Sequence, residues 1–287
     1  MEKQFESIST NDIVSYYDQC EIDYRWLWHL KGQNAMHYGL WYEDTSTLRE
    51  ALYNMNNYIV DLLKIRKDQW ILDAGCGVGG TVLHICQSQE VVVHGITLSR
   101  KQVEKCKRNA ENSHLKGRAI FSMQDYCNTS FEPESFDAIY AIESVCHAHE
   151  KMDYLKEAYR ILKPGGIAII ADFFTTQREF KPRQARLLDN WARSWAVPSF
   201  ENKAIFMSKC NEAGFDMVGS YNITENIFRS SKRLKNYFYP GLIAHSFLYS
   251  LGLRNKIQGK NVWSTYYQHK SLQQKLWEYR VLKLQKN

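Results

Sequence analysis

Asp73 ends a short apolar run, Trp70-Ile-Leu-Asp-Ala74, and glycines follow at alternating positions, Gly75, Gly77 and Gly79. A buried strand that turns through glycines into a helix lets backbone N–H groups approach a ligand closely. An acid at the strand tip adds a fixed anchor for a cationic or hydroxyl-bearing group. The arrangement therefore points to enzymes that hold a nucleotide-like cofactor. A second cluster, Glu143, His147 and His149, lies in Ala141-Ile-Glu-Ser-Val-Cys-His-Ala-His149 after another apolar run. It offers a carboxylate and an imidazole whose pKa range suits proton transfer. The His147-x-His149 pair has metal-ligand character, but no third ligand stands nearby and no metal is expected.

The elements that must position these groups follow from periodicity. Short apolar runs occur at 70–74, 91–96, 119–123, 136–142 and 166–174, with helix-like segments between them near 81–87, 99–112 and 151–162. Strands alternating with helices predict βαβ units, a mostly parallel sheet and helices on both faces. Before the sheet, residues 7–64 read as helical, interrupted by the aromatic loop Ala35-Met-His-Tyr-Gly-Leu-Trp-Tyr42. In that region Leu48, Ala51, Leu52, Met55, Ile59, Leu62 and Leu63 keep helical spacing. After Phe174, a helical insert is expected over 178–196, a sheet-packing helix over 202–213 and a strand over 215–224. A second helical insert over 226–269 and a final strand over 272–284 complete the reading. The expectation is one α/β domain over 1–287: a helical cap (1–64), a cofactor-binding core (65–174), and the rest of the sheet with lid inserts (175–287). Cap and lids should roof the C-terminal edge of the sheet, where open α/β folds bind ligands.

With 287 residues, 44% of them hydrophobic, the chain can bury one large core or a core with a small cap. No apolar run has the length of a membrane span, and residues 1–10 lack an apolar signal region, so a cytoplasmic location is the default expectation. Seven cysteines without CxxC spacing fit reduced thiols, most of them small buried apolar residues. The net charge of +6 is unevenly spread: residues 225–287 carry 12 Lys/Arg against 2 Asp/Glu, and the remainder is net acidic. This basic stretch is also rich in aromatics. One reading is a solvated basic face over ordinary core aromatics. The other is a lid that makes peripheral contact with an anionic membrane or meets an acidic, lipophilic substrate. No nucleic-acid motif accompanies the charge, and nucleic acid is not an expected partner.

Gly75-Cys-Gly-Val-Gly-Gly80 also satisfies G-x-G-x-x-G, the dinucleotide fingerprint. Three features count against NAD. The motif follows a long N-terminal segment, Asp73 sits where the fingerprint carries an apolar residue, and the second strand ends in Thr97-Leu-Ser99 without an acid for the ribose hydroxyls. Taken with the Gly95-Ile-Thr-Leu-Ser99 turn, Gln102 and Lys163-Pro-Gly-Gly166, the glycine turn resembles class I S-adenosylmethionine (SAM) methyltransferases. The similarity is to the branch of cyclopropane fatty-acid synthases and of tocopherol and sterol methyltransferases. The resemblance implies a Rossmann-like, mostly parallel seven-stranded sheet and SAM as cofactor, with S-adenosylhomocysteine as its product.

Carried over residue by residue, the resemblance implies that Asp73, Gly75 and Gly77 hold the methionine part of SAM. Thr97, Leu98 and Gln102 would contact ribose and adenine, and Gln124 and Asp125 would read the adenine amino group. Ile142 would lie against the cofactor, and Tyr38 would close over the methionine end. Glu143, His147 and Asp172 would be the catalytic set: His147 as base, Asp172 assisting, Glu143 near cofactor or acceptor. The Trp191-Ala-Arg-Ser-Trp-Ala-Val-Pro198 stretch resembles an insert that tocopherol-type enzymes fold over the acceptor. The implied activity is methyl transfer to carbon or oxygen of a small lipophilic acceptor, isoprenoid-, sterol- or aromatic natural-product-like. A cyclopropane-type lipid enzyme, an N-methyltransferase and a degenerate SAM-binding protein are the alternatives.

Overall fold

The computed structural model describes residues 8–27 and 34–287; the parts of the expected cap at 1–7 and 28–33 lie outside the described residues. Seven strands, β1 (Trp70–Ala74), β2 (Val92–Thr97), β3 (Arg118–Met123), β4 (Phe136–Ile142), β5 (Leu162–Thr175), β6 (Phe215–Asn222) and β7 (Trp277–Lys286), form one sheet in the order β3-β2-β1-β4-β5-β7-β6. Strands β1 to β5 pair in parallel, and β7 runs antiparallel between β5 and β6. This is the doubly wound arrangement in which helices must cover both faces.

Side-chain alternation along the strands divides the core into two layers. Ile71, Ala138, Tyr140, Ile169, Ala171 and Phe173 point to one face, Leu72, Ile139, Ala141, Ala168, Ile170 and Phe174 to the other. Both sets are buried, which is why the strands read as continuous apolar runs. The second face is closed by α5 (Lys151–Ile161) and α7 (Lys203–Glu212) through Tyr154, Leu155, Phe206 and Cys210. The first packs α3 (Gly80–Ser88) and α4 (Arg100–Glu111) together with α2 (Leu48–Leu63). Helix α2 starts at a capping box between Thr47 and Glu50 and buries Leu48, Ala51, Leu52, Met55, Ile59 and Leu63.

Cap and lid meet above the C-terminal strand ends. Helix α1 (Thr10–Leu27) packs against α10 (Lys256–Gln273), which also contacts α6 (Pro182–Ser194), α8 (Thr224–Asn236) and α9 (Phe238–Ser250). The insert expected over 226–269 is thus three helices. The last strand starts at Trp277 rather than near 272, because α10 continues to Gln273 with Gln268, His269 and Leu272 buried. The expected turn at 163–166 is absorbed into an irregular start of β5, where the pairing with β4 shifts register and Gly165 has φ +74°.

Candidate functional site

The tips of β1 and β4 are joined by one contact: Ser144 Oγ donates to the Ala74 carbonyl at 2.6 Å. Gly75 lies against this contact with φ +110°, and a Cβ there would stand 2.4 Å from Ser144 Cβ, so only glycine fits. Gly77, also at positive φ, faces open space; its Cβ would meet only Met36 Sδ, at 3.5 Å. The second turn closes on itself. Thr97 Oγ1 donates to Gln102 Oε1 (2.5 Å), and Ser99 caps α4 by accepting the Gln102 amide.

These turns open into one cleft. Of the residues expected from sequence, Asp73, Gly75, Gly77, Thr97, Leu98, Gln102, Gln124, Ile142, Glu143 and His147 line it together. Tyr17, Met36, His37, Ser99, Tyr126 and Ser144 line it too and were not expected. Met36 and His37 flank Tyr38 in the aromatic loop, which was the available signal. Tyr17 comes from α1, more than a hundred residues from its partner His147, and nothing local marks it.

Three expected residues are placed elsewhere. Tyr38 is fully buried behind the cleft: its hydroxyl donates to Gln268 Oε1 (2.8 Å), while its amide donates to Glu143 Oε1 (2.7 Å). The aromatic loop thus positions Glu143 through its backbone. Asp125 is exposed, accepts the Cys127 amide (2.8 Å) in a turn contact, and is not among the residues that line the cleft. Asp172 is buried beneath the short helical turn Val145–His147, accepting the Cys146 amide (2.9 Å) and the Phe173 amide (2.8 Å). It supports the turn that presents His147 rather than facing a ligand. Lys151 holds the same turn by donating to the Cys146 carbonyl (2.8 Å).

The electrostatics of the cleft are those of buried acids with few counter-charges. Asp73 is 4% exposed, and burial pushes its carboxyl up to about 7 against the opposing effect of the Tyr140 hydroxyl. No Lys, Arg or His forms an ion pair with it among the described residues. Glu143 keeps some exposure to the cleft but is surrounded elsewhere by protein, and desolvation raises its carboxyl well above the usual range. Hydrogen bonds from the Tyr38 amide and the Tyr279 hydroxyl (2.9 Å) oppose that rise. Its backbone sits at φ +51°, a conformation that costs a non-glycine residue and recurs at functional sites. Burial lowers the His147 imidazole to about 4, so it is neutral at physiological pH. With Nδ1–H donating to the Ala196 carbonyl (3.2 Å), Nε2 is left to accept the Tyr17 hydroxyl (2.8 Å).

Beyond Glu143 and His147 the cleft continues into a small aromatic chamber walled by Tyr16, Tyr17, Tyr24, Met36, Phe173 and Trp195. Helix α1 forms its roof and is tied to α4 on one side, by Ser99 Oγ donating to Asp18 (2.7 Å) and by the Lys105–Glu21 pair (2.5 Å). On the other side it is tied to α10 by Gln258 and Asn261.

Residues 72–170 match the family described as "Methyltransferase domain". The 27-O-demethylrifamycin SV methyltransferase of Amycolatopsis mediterranei is 31% identical over 163 residues, covering 57% of this chain and 58% of that protein. Cycloartenol-C-24-methyltransferase 1 of Oryza sativa subsp. japonica is 25% identical over 228 residues, 78% of this chain and 64% of its own length. The chain therefore spans less than two thirds of either relative. Among solved structures, the 4+2 cyclase SpnF superposes with a TM-score of 0.82 at 20% identity, covering 98% of this chain and 97% of that one. The cyclopropane synthase MmaA2 from Mycobacterium tuberculosis gives 0.81 at 17% identity, with 97% and 99% covered. These two likenesses establish the fold. Residues 72–170 thus carry a methyltransferase domain, and the relatives and the seven-stranded sheet built around the Asp73 turn make the chain similar to class I SAM-dependent methyltransferases.

Proposed function

We propose that this protein transfers the methyl group of SAM to an oxygen or carbon of a small lipophilic acceptor, isoprenoid-, sterol- or aromatic natural-product-like. The carrying observation is that a buried carboxylate without a cation, Asp73, and a neutral imidazole, His147, share one cleft. A relative named for a 27-O-demethylrifamycin and another named for C-24 of cycloartenol support both the transfer and the two kinds of acceptor atom.

The residues present fit the cofactor. Asp73 is a buried carboxyl that a cation such as the α-ammonium of the methionine part would draw into its charged form, and Gly77 leaves open space in the same cleft. Thr97, Leu98, Gln102 and Gln124 line the stretch of cleft that would take ribose and adenine. When bound, SAM supplies an electrophilic methyl on a sulfonium. The chain aligns the acceptor, excludes water with its aromatic walls, and accepts one proton. An alcohol oxygen becomes strongly acidic as it takes the methyl, and a methylated alkene becomes a carbocation that must lose a proton. In either case a neutral imidazole of low pKa is basic enough. The Tyr17 hydroxyl on Nε2 marks where an acceptor group would meet His147. The tyrosine and tryptophan faces of the chamber, with Glu143 at its wall, suit transient positive charge. Asp172 supports the turn that carries His147. Cap, core and lid work in this reading as one unit, with peripheral membrane contact by the basic 225–287 region.

The test is incubation with SAM labelled in its methyl group and a panel of isoprenoid, sterol and polyketide acceptors. Label in an organic-soluble product, with one S-adenosylhomocysteine per methyl, is expected. NMR of that product separates O-, C- and N-methylation from a cyclopropane ring. Calorimetry showing no binding of SAM or S-adenosylhomocysteine would sink the reading. SAM binding without consumption on any acceptor would reduce it to a SAM-binding protein.

A further inference from the structure

Helix α9, Phe238-Tyr-Pro-Gly-Leu-Ile-Ala-His-Ser-Phe-Leu-Tyr-Ser250, contains no charged residue, yet Phe238 is its only fully buried side chain. Tyr239, Ile243, Phe247 and Leu251 recur every fourth residue, and all four are more than half exposed. Their spacing places them along one exposed face of the helix, an apolar stripe rather than singly scattered apolar residues. Along the sequence the charge around the stripe has one sign, although the packed helix α1 brings Asp23 to Arg254 and Asp12 near Lys260. Residues 226–277 contain nine Lys/Arg and no Asp or Glu. Lys232 in α8 and Lys256 and Lys260 in α10, the helices that precede and follow α9 in the chain, are exposed. A charge-free apolar helix bracketed by cations suits the plane of an anionic lipid interface. At 13 residues α9 is too short to cross a bilayer, and no helix among the described residues is long and apolar enough to do so.

Behind the stripe, between α9, α10 and α1, lies an apolar groove of about 470 Å³, lined by Ile22, Gly241, Ala244, Leu248, Leu253 and Val262. Its floor is polar. Arg254 donates to Asp23 (2.6 Å), Asn261 Nδ2 donates to Asp23 (3.1 Å), and Asn261 Oδ1 accepts the Tyr16 hydroxyl (2.8 Å). Tyr16, bonded in turn to Tyr24 (2.9 Å), is also a wall of the chamber that holds Glu143 and His147. The hydrogen-bonded pair Asn261 and Tyr16 therefore spans the wall between the groove and the chamber.

We propose that the α9 stripe docks on an anionic lipid bilayer and that the groove behind it receives the hydrocarbon part of the acceptor from that bilayer. The intake role rests on the lipophilic acceptor proposed above; the docking does not.

The experiment uses sedimentation of the full chain with phosphatidylcholine vesicles, plain or with about a third phosphatidylserine, in about 0.1 M and 0.5 M salt. Wild type should pellet with the anionic vesicles at low salt and at least tenfold less with neutral vesicles or high salt. The double variant Ile243→Asp/Phe247→Asp should lose at least tenfold of the pelleting while binding SAM as wild type does, which shows that it is folded. For the groove, the probe is a dansylated twelve-carbon fatty acid. Ala244→Trp, which fills the groove, should weaken its binding at least tenfold and leave vesicle pelleting unchanged. Pelleting that ignores lipid charge, or that survives the double variant, overturns the docking. So does a wild-type dimer that the double variant dissociates and that never pellets, because a second copy then covers the stripe. Equal probe affinity in Ala244→Trp overturns the intake. A failure of wild type to bind SAM would refute the proposed function and leave the vesicle result standing.

Discussion

Replacing Asp73 by asparagine should strengthen the fold and weaken the cofactor site together. Burial lifts the carboxyl from 3.8 to about 7, so between those values the native state holds a proton that the unfolded chain has released. Stability from this group is therefore full below about pH 4, falls as pH rises, and is lost above about 7. Three units at 1.36 kcal/mol each give a penalty of about 4 kcal/mol at pH 8. Asparagine abolishes the charge but must bury an amide, which costs about 1–3 kcal/mol of that gain. The net expectation is about 2 kcal/mol, or an increase in Tm of about 5 °C for the ligand-free protein at pH 8. At pH 5 the two proteins should melt within about 2 °C of each other, because wild-type Asp73 is then neutral as well. Losing the partner of a buried ammonium should cost about 3 kcal/mol of binding, roughly a hundredfold in Kd for SAM. Scanning calorimetry at the two pH values and titration calorimetry with SAM measure both quantities. An Asp73→Asn protein that melts lower than wild type at pH 8 yet binds SAM equally well would refute the reasoning, because Asp73 would then be a structural anchor.

Cofactor affinity of the wild type should tighten as pH rises through about 7, since a bound cation draws Asp73 into its charged form. Below that pH, binding should release a proton, seen as a buffer-dependent heat in titration calorimetry; constant affinity from pH 6 to 8 would count against the pairing. His147→Ala should lower kcat by about 10²–10⁴ with the native acceptor while Kd for SAM stays within about threefold, and unchanged turnover would remove His147 as base. Gly75→Ala forces a Cβ to 2.4 Å from that of Ser144 at φ +110°, and should cost about 3 kcal/mol and lower Tm by about 8 °C in a thermal melt.

Much of the fold was legible because the signals are local. Alternating burial on both faces turns β1, β4 and β5 into continuous apolar runs, and the glycine turn after Asp73 has to lie at a strand tip. The cleft opens at two such turns, so Asp73, Gly75, Thr97, Leu98 and Gln102, which spacing and resemblance singled out, line it together. The side of the cleft around Glu143 and His147 is built from distant segments. Tyr17 meets His147 across 130 residues, and Tyr279 meets Glu143 across 136. No periodicity encodes such contacts. Asp125 and Asp172 show the reverse case: an acid after a strand serves equally as a ligand or as an acceptor for nearby amides, and here both bond to backbone N–H groups. Tyr38 lies in the segment the sequence singled out, but its contribution to Glu143 comes from its amide, which any non-proline residue would supply.

The position of β7 constrains how the molecule is made. It is the last of the seven described strands in sequence, yet it sits inside the sheet between β5 and β6. During synthesis β6 has no neighbour to pair with until residues 277–286 have left the ribosome, and the exposed flank of β5 is a temporary hazard for misassembly. Tyr279, whose hydroxyl holds Glu143, lies on that strand. The surroundings of Glu143 are therefore completed only after β7 has joined the sheet, so a ribosome-bound chain with its first strands folded would still lack part of the aromatic chamber's support.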